Sequence, residues 1–309
     1  MKKTIAALWL FATVPALAQN PISPMGVYIA DPSSRVVDGR LYVYGSLDVS
    51  PGRYCSKDYH VLSSPDLRNW TLHPYSFRND IDLYAPDMKT LDMSTQVDGI
   101  VTEKDHFFHE GSYVVKRGGY YYFIFADISR NGRPTCLGYA MATSPLGPYE
   151  YKGVIIDNAG CDPETWNNHG SLVQFGDDWY VLYHRSTHGS RTMRKACIEP
   201  VRFNPDGTID EVEMTSQGAA GPLDAFAQLD AAKACRMQGH VRIRRMDGRE
   251  DREELAGIHG GDAAVWKYLD FGTGARHISL RVRSKLGGTV IVRAPEVEPL
   301  HRPGQAVVR

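Results

Sequence analysis

Three times this chain sets a turn of Gly and Asp directly before a run of aromatic and β-branched residues. The copies are Asp38-Gly39-Arg40-Leu41-Tyr42-Val43-Tyr44-Gly45, Gly118-Gly119-Tyr120-Tyr121-Tyr122-Phe123-Ile124-Phe125 and Gly176-Asp177-Asp178-Trp179-Tyr180-Val181-Leu182-Tyr183. Glycine tolerates the positive φ that tight hairpin turns require, and aromatic runs suit pleated, half-buried strands. A second parallel follows the first two copies. Val61-Leu62-Ser63-Ser64-Pro65-Asp66-Leu67 matches Met141-Ala142-Thr143-Ser144-Pro145-Leu146-Gly147 in order and punctuation. No long segment of helical period competes with this reading, apart from an Ala-rich stretch at 223–236. The expected class is all-β.

Short strands repeating with such turns suggest the blades of a β-propeller, with a generic β-sandwich as the structural alternative. The spacing is uneven. Between the first and second copies lies Met88-Lys89-Thr90-Leu91-Asp92 and a polar continuation to His106, which lacks the aromatic strand pair. In the second copy the hairpin reads as a strand over 112–115, a turn at 116–119 and a strand over 120–126. Glu110 stands just ahead of it.

The chain opens on Lys2 and Lys3, a short apolar run over 4–14 and the small-residue pattern Ala16-Leu17-Ala18. This predicts an export signal over 1–18, with a mature start at Gln19 and a periplasmic or secreted product. The apolar run is too short to span a bilayer, and no later segment reaches spanning length. With 35 basic against 36 acidic residues, the net charge is −1. That balance gives no electrostatic case for nucleic acid or anionic membrane as a partner. The 17 Tyr and five Trp suit surfaces that stack on sugar rings, though aromatic residues more commonly pack cores. Cys55, Cys136, Cys161, Cys197 and Cys235 permit disulfides in an exported chain. Their odd number leaves at least one unpaired or paired between chains, and their wide spacing matches no zinc pattern.

Two acids occupy matching places. Asp31, in Ala30-Asp31-Pro32-Ser33, precedes the first aromatic strand, and Glu110 precedes a later one. Pro32 is expected to hold Asp31 in extended geometry. Taken locally, Asp31-Pro32 is equally a common turn and Glu110 an exposed loop glutamate. Two carboxylates on different blades facing one cavity are what hydrolysis of a glycosidic bond needs. One activates water and the other protonates the leaving oxygen, and a separation of roughly 6.5–9.5 Å gives inversion. His106 and His109 beside Glu110 fit no standard metal-ligand spacing, and His184 and His188 read as solvated or substrate-side residues. No nucleophile elbow and no phosphate-cradling loop is present.

Five stretches, in order, carry a family resemblance: Ala30-Asp31-Pro32, Leu83-Tyr84-Ala85-Pro86-Asp87, His109-Glu110-Gly111-Ser112, Tyr139-Ala140-Met141-Ala142-Thr143-Ser144-Pro145-Leu146-Gly147-Pro148-Tyr149, and Asn167-Asn168-His169-Gly170-Ser171. Over roughly 20–217 the chain resembles glycoside hydrolase family 43, five-bladed propeller enzymes acting as β-xylosidases and α-L-arabinofuranosidases. The resemblance implies Asp31 as general base and Glu110 as general acid. It implies His169 near the funnel axis, where many members hold calcium or a water cluster, and Arg194 as a substrate-contacting arginine. Asp87 enters as an active-site neighbour. Without the resemblance, His169 reads as a structural histidine and Arg194 as a surface or salt-bridge residue. No organic cofactor is implied, and calcium at His169 is the one metal suggested.

The chain departs from the family at Asp87. Ala85-Pro86-Asp87 opens a second blade in the family, but here it runs straight into Met88-Lys89-Thr90-Leu91-Asp92, which resembles the tail of the third. The implied internal deletion near 87–88 removes about two blades' worth of strands and, with them, the aspartate that tunes the acid. The expected organisation is a signal peptide (1–18), an incomplete propeller domain (19–222) and a C-terminal segment (235–309). That segment resembles the opening strands of a family 6 carbohydrate-binding module, a β-sandwich in which Trp266 either stacks on sugar or packs a core. The function expected is an exported glycosidase cleaving xylosidic or arabinofuranosidic bonds of polysaccharides or oligosaccharides with inversion. A non-catalytic sugar-binding protein or an inactive remnant is the alternative. Oligomeric state is not legible.

Overall fold

The computed structural model describes residues 19–54, 56, 58–78, 99–130, 132–162, 167–285 and 287–293. The expected leader, Cys55, Asp87 and the junction at 87–88 lie outside the described residues. The described chain is all-β. Its one α-helix, α1 (Glu103–His106), is four residues long and capped by the Thr102 side chain.

Each of the three repeated turns opens its own sheet. The first sheet is an antiparallel meander of β1 (Ile29–Val37), β2 (Arg40–Leu47), β3 (Asp58–Ser64) and β4 (Thr71–Arg78). The second repeats that order with β5 (Phe108–Arg117), β6 (Tyr120–Asp127), β7 (Cys136–Ala142) and β8 (Glu150–Asp157). The third has three strands, β9 (Ser171–Phe175), β10 (Asp178–Thr187) and β11 (Ser190–Val201), with β10 in the middle. The expected hairpin at Gly118-Gly119 forms as a two-residue turn between paired Arg117 and Tyr120. In the first copy Asp38 and Gly39 both have positive φ, 49° and 73°, the signature of a turn whose twist matches its strands. The Ser-Pro parallels also hold, as connections from β3 to β4 and from β7 to β8.

The third sheet lies between the other two, and its sequence says why. Alternate residues of a strand point to opposite faces. On β9, β10 and β11, Val173, Tyr180, Leu182, Ala196 and Ile198 pack against Ile29, Leu41, Val43 and Leu62 of the first sheet. Their neighbours Leu172, Val181, Tyr183 and Cys197 pack against Tyr122, Ile124, Leu137, Tyr139 and Ile155 of the second. A strand buried on both faces reads as a continuous apolar run rather than an alternation. By contrast β5 alternates half-buried and exposed residues along its length. Fully burying one Leu of this kind stabilises by about 1.5–3 kcal/mol.

The C-terminal part differs from expectation in two ways. The stretch 223–236 is not helical. It holds β12 (Leu223–Asp224), a single 3-10 turn at Ala231–Lys233 and the start of β13 (Arg236–Gln238). Nor do the described residues after 235 build two facing sheets. Parallel β12 pairs with β17 (Leu269–Asp270), β13 with β16 (Ala263–Val265), and β14 (Arg242–Met246) with β15 (Arg249–Ala256), each a two-stranded piece. Residues 271–285 and 287–293 contain no strand. The pieces dock on the third sheet. Cys235 joins its core, and a buried Lys195–Glu253 ion pair at 2.7 Å links β11 to β15. Trp266 is half-buried, with its indole N–H donating to the Asp230 carbonyl. Cys136, Cys161, Cys197 and Cys235 are all buried free thiols.

Candidate active site

Two inner strands are deformed at the two acids. On β1, Ala30 pairs with Ser46 and Ser33 with Tyr44, so one extra residue is accommodated between them. The expectation of extended backbone at Asp31 does not hold, because its φ is 52°. A bulge places one residue in the left-handed region, which Asp tolerates better than most side chains. On β5 the register slips on both sides of Glu110. Phe108 pairs with Asp127, Glu110 with Ala126 and Tyr113 with Ile124. Gly111 follows with a φ of 67°. Bulges re-aim a side chain where a regular strand would not, and sheet edges beside active sites favour them.

The third sheet supplies what holds Asp31. The Arg194 Nη1 donates to both carboxylate oxygens, at 3.0 and 3.1 Å. His169 Nδ1 lies 3.2 Å from Oδ1, and the Ser46 hydroxyl donates to Oδ2 at 3.1 Å. Behind the carboxylate, the Asp31 amide donates to His184 Nδ1 at 3.2 Å, and the Ser171 hydroxyl donates to the Pro32 carbonyl at 2.9 Å. His184 is completely buried, and burial lowers its pKa to about 3, so it is neutral at neutral pH. Its Nδ1 accepts from the Asp31 amide, so the ring proton sits on Nε2 and points at Asn167 Oδ1, 3.2 Å away. His184 is therefore an internal strut, not the solvated or substrate-side residue its sequence suggests.

Burial works to raise the Asp31 carboxyl, but the His169 hydrogen bond and neighbouring positive charge outweigh it and hold the group well below the usual carboxylate range. With His184 neutral, that charge is Arg194. Arg194 is itself buried, and its guanidinium is a bridge between two aspartates. Nε and Nη2 grip the Asp48 carboxylate at 2.8 and 2.9 Å while Nη1 reaches Asp31, and the Arg194 amide also donates to Asp48. Asp48 is only 1% exposed. The sequence reading missed it, although a signal exists. Asp48 directly follows the second strand of the first copy, and the second strand of the second copy ends on Asp127, which is also buried.

Glu110 is placed differently. Its side chain is exposed, and no hydrogen bond or ion pair ties it to another described residue. Its link to Asp31 runs through Gly111. A Cβ at Gly111 would lie 2.5 Å from His169 Nε2, so the β5 backbone abuts the ring whose other nitrogen meets Asp31. Asp31, His169 and Arg194 thus form one cluster, and Glu110 borders it. The His106 ring is structural, meeting the Thr102 amide and the Tyr149 carbonyl. Tyr54, 52% exposed, lies over the Arg194 guanidinium at 5.3 Å. With Pro51, Gly52 and 189–192 it lines an open cleft of about 440 Å³.

The donor set does not fit calcium, which takes six to eight oxygen ligands. His169 offers nitrogen, and the carboxylate beside it already holds an arginine.

The chain is similar in sequence to known proteins. Residues 79–209 match the family model for glycosyl hydrolases family 43. Over 219 residues the chain is 29% identical to a xylosidase/arabinosidase of Thermoclostridium stercorarium, covering 61% of this chain and 45% of that one. It is also 29% identical over 306 residues to an arabinoxylan arabinofuranohydrolase of Bacillus subtilis, covering 89% of this chain and 57% of that protein. The chain spans about half the length of these curated relatives. A solved β-xylosidase structure overlays 61% of the chain at 19% identity and a TM-score of 0.46. The stretch that matches this family model holds Glu110, His169 and Arg194.

Proposed function

We propose that this chain is an exported glycosidase that cleaves xylosidic or arabinofuranosidic bonds of polysaccharides or oligosaccharides with inversion. Asp31 is the general base and Glu110 the general acid. The observation that carries the reading is the state of Asp31. Its carboxylate is ionised, aimed by a bulge, gripped on both oxygens by Arg194 and still 30% exposed. An ionised carboxylate open to solvent is what a water-activating base requires. In the step, the water oxygen bonds to the anomeric carbon from the face opposite the leaving group and its proton passes to Asp31. The glycosidic bond breaks with its electron pair on the leaving oxygen, which takes the proton of Glu110. His169 and Arg194 hold the base in place. Tyr54 offers a flat, exposed ring beside it for a sugar to stack on.

The described residues hold three large sheets, where the resemblance implies five blades. That count supports an internal deletion near 87–88 in a propeller-type domain. A second reading follows from Glu110. A general acid keeps its proton through burial or a neighbouring carboxylate, and Glu110 is exposed. This favours sugar binding with little or no turnover.

The purified mature chain should be assayed on aryl β-xyloside, aryl α-L-arabinofuranoside and arabinoxylan, with Glu110→Gln and Asp31→Asn alongside. Pentose release that falls by roughly 10²-fold or more in both variants supports the acid and base assignments. If folded wild type releases nothing yet is retarded by arabinoxylan in a native gel, the binding reading replaces the enzymatic one.

A further inference from the structure

Far along the chain from Asp31, a second group of chemistry-bearing side chains converges. His240 sits in the loop between β13 and β14, and His259 and Asp262 sit in the loop between β15 and β16. Their ligand atoms all lie within 4.8 Å of one another, the one such group among the described residues. The two imidazole rings are 4.5 Å apart at 75°, and His240 Nδ1 is 3.6 Å from Asp262 Oδ1.

We propose that His240, His259 and Asp262 form a binding site for a divalent first-row transition cation, with zinc the fitting member. Three features carry this. Asp262 is pre-oriented, because its two oxygens accept the backbone N–H groups of the two histidine residues themselves, at 3.0 and 2.9 Å. Each oxygen keeps a lone pair for a metal. Gly239 leaves the room for that carboxylate, since a Cβ there would fall 1.9 Å from Asp262 Oδ1. The imidazoles, by contrast, are free to adjust, for His240 is 71% exposed while the Asp262 side chain is 5% exposed. Zinc bonds of 2.0–2.1 Å place tetrahedral ligand atoms about 3.3 Å apart, within reach of a small rotation of exposed rings. Two nitrogens and one oxygen suit zinc, nickel or copper rather than calcium or magnesium, and water completes the shell. A bound ion would clip together the two loops at the open end of the β14–β15 hairpin.

The test is calorimetric titration of Zn²⁺ into the full chain, freed of any affinity tag and stripped with chelator. It is run beside His240→Ala, His259→Ala and, as a control outside the group, His277→Ala. The expected result is one zinc per chain, weakened at least tenfold by either of the first two substitutions and unchanged by the third. Thermal midpoints should rise with zinc in wild type and in the control only. Co²⁺ absorption of the intensity typical of a low-coordinate site should vanish in the same two variants. Both histidines are exposed, so the variants should keep the wild-type circular dichroism. Absence of binding, or binding that persists equally in His240→Ala and His259→Ala, overturns the site.

Discussion

The bulge on β1 and the bulge on β5 use the same backbone device to present an acid, yet they treat the acid in opposite ways. Asp31 is held from three sides by groups of the third sheet and its approach, Arg194 on β11, His184 on β10 and His169 just before β9. Glu110 stands on a strand with one exposed face, and among the described residues it meets that machinery through the Gly111 backbone. The difference follows from packing. β1 lies directly against the sheet that is buried on both faces, so its bulge opens onto the buried Arg194 and His184. A charge in such a place must be paired, and pairing fixes its geometry. The Glu110 side chain is exposed, and no other described residue pairs with it. If the two acids act together, one arrives rigid and pre-ionised, and the other is positioned by its backbone alone.

The largest effect that tests this contrast is expected at Arg194. Replacing it with Ala strands Asp48, buried at 1% exposure, without a counter-charge. Breaking a buried pair in this way costs about 3–5 kcal/mol. A urea midpoint unchanged from wild type would mean that the Asp48–Arg194–Asp31 bridge does not organise this region. Arg194→Lys should recover only part of the loss, since an ammonium cannot grip Asp48 bidentately while reaching Asp31.

Acid should weaken the Asp31 region next. Burial depresses the folded pKa of His184 to about 3 and that of His188 to about 4. A group whose folded pKa lies below its unfolded value stabilises above the unfolded pKa and loses that contribution as pH falls. For both histidines the loss therefore begins near pH 6.5 and runs down toward pH 3 to 4. His184 alone accounts for something on the order of 3–5 kcal/mol. Asp31, also depressed, adds a loss of the same sign that begins in the usual carboxylate range and continues below it. Thermal midpoints measured from pH 7.5 to 4 should fall steadily. A flat profile between pH 6.5 and 5 would show that His184 is not held neutral by burial.

How much of this was legible beforehand follows the same division. The strands were legible, because the turn-plus-aromatic unit is a local signal, and each copy does open a sheet. Asp31, Glu110, His169 and Arg194 were reached by motif, and the structure brings three of them together. What the sequence could not show was burial. His184 reads as solvated because Ser186 and Gly189 suggest a loop, yet it lies on β10 in a packed network with buried Arg185 and Ser186. Asp48 carries no motif, and it matters only because β2 and β11 meet in space. The left-handed backbone of Asp31 contradicts the local rule for a residue before proline, as functional or strained positions tend to do. The C-terminal strands are not legible for another reason. Their pieces share only a small core, Ala232, Met237, Val241 and Ile243 with Leu255 and Ala264, and also lean on the third sheet, and no pattern within 223–271 announces that.

A smaller effect is expected at Gly111, the joint between the two bulges. Gly111→Ala places a side chain at a φ of 67° and 2.5 Å from His169 Nε2. Left-handed backbone at a non-glycine residue costs of order 1–3 kcal/mol, and the ring must shift to admit the methyl. If turnover is present, it should fall in step with this displacement of His169. A variant as stable and active as wild type would show that the β5 backbone does not rest on that ring.

The smallest effect on stability, and the sharpest test of the comparison, is Glu110→Gln. An exposed side chain without a protein partner should change stability by no more than about 0.5 kcal/mol on substitution. Asp31→Asn, made in parallel, leaves Arg194 and His169 facing a neutral amide that returns only part of their hydrogen bonding, and should cost clearly more. The pair separates structural from chemical roles, because both substitutions should abolish hydrolysis if the assignments hold, while only one should lower the unfolding midpoint. Glu110→Gln that destabilises by more than 1 kcal/mol would mean that Glu110 is held by the protein after all, and the two bulges would then be alike in support as well as in shape.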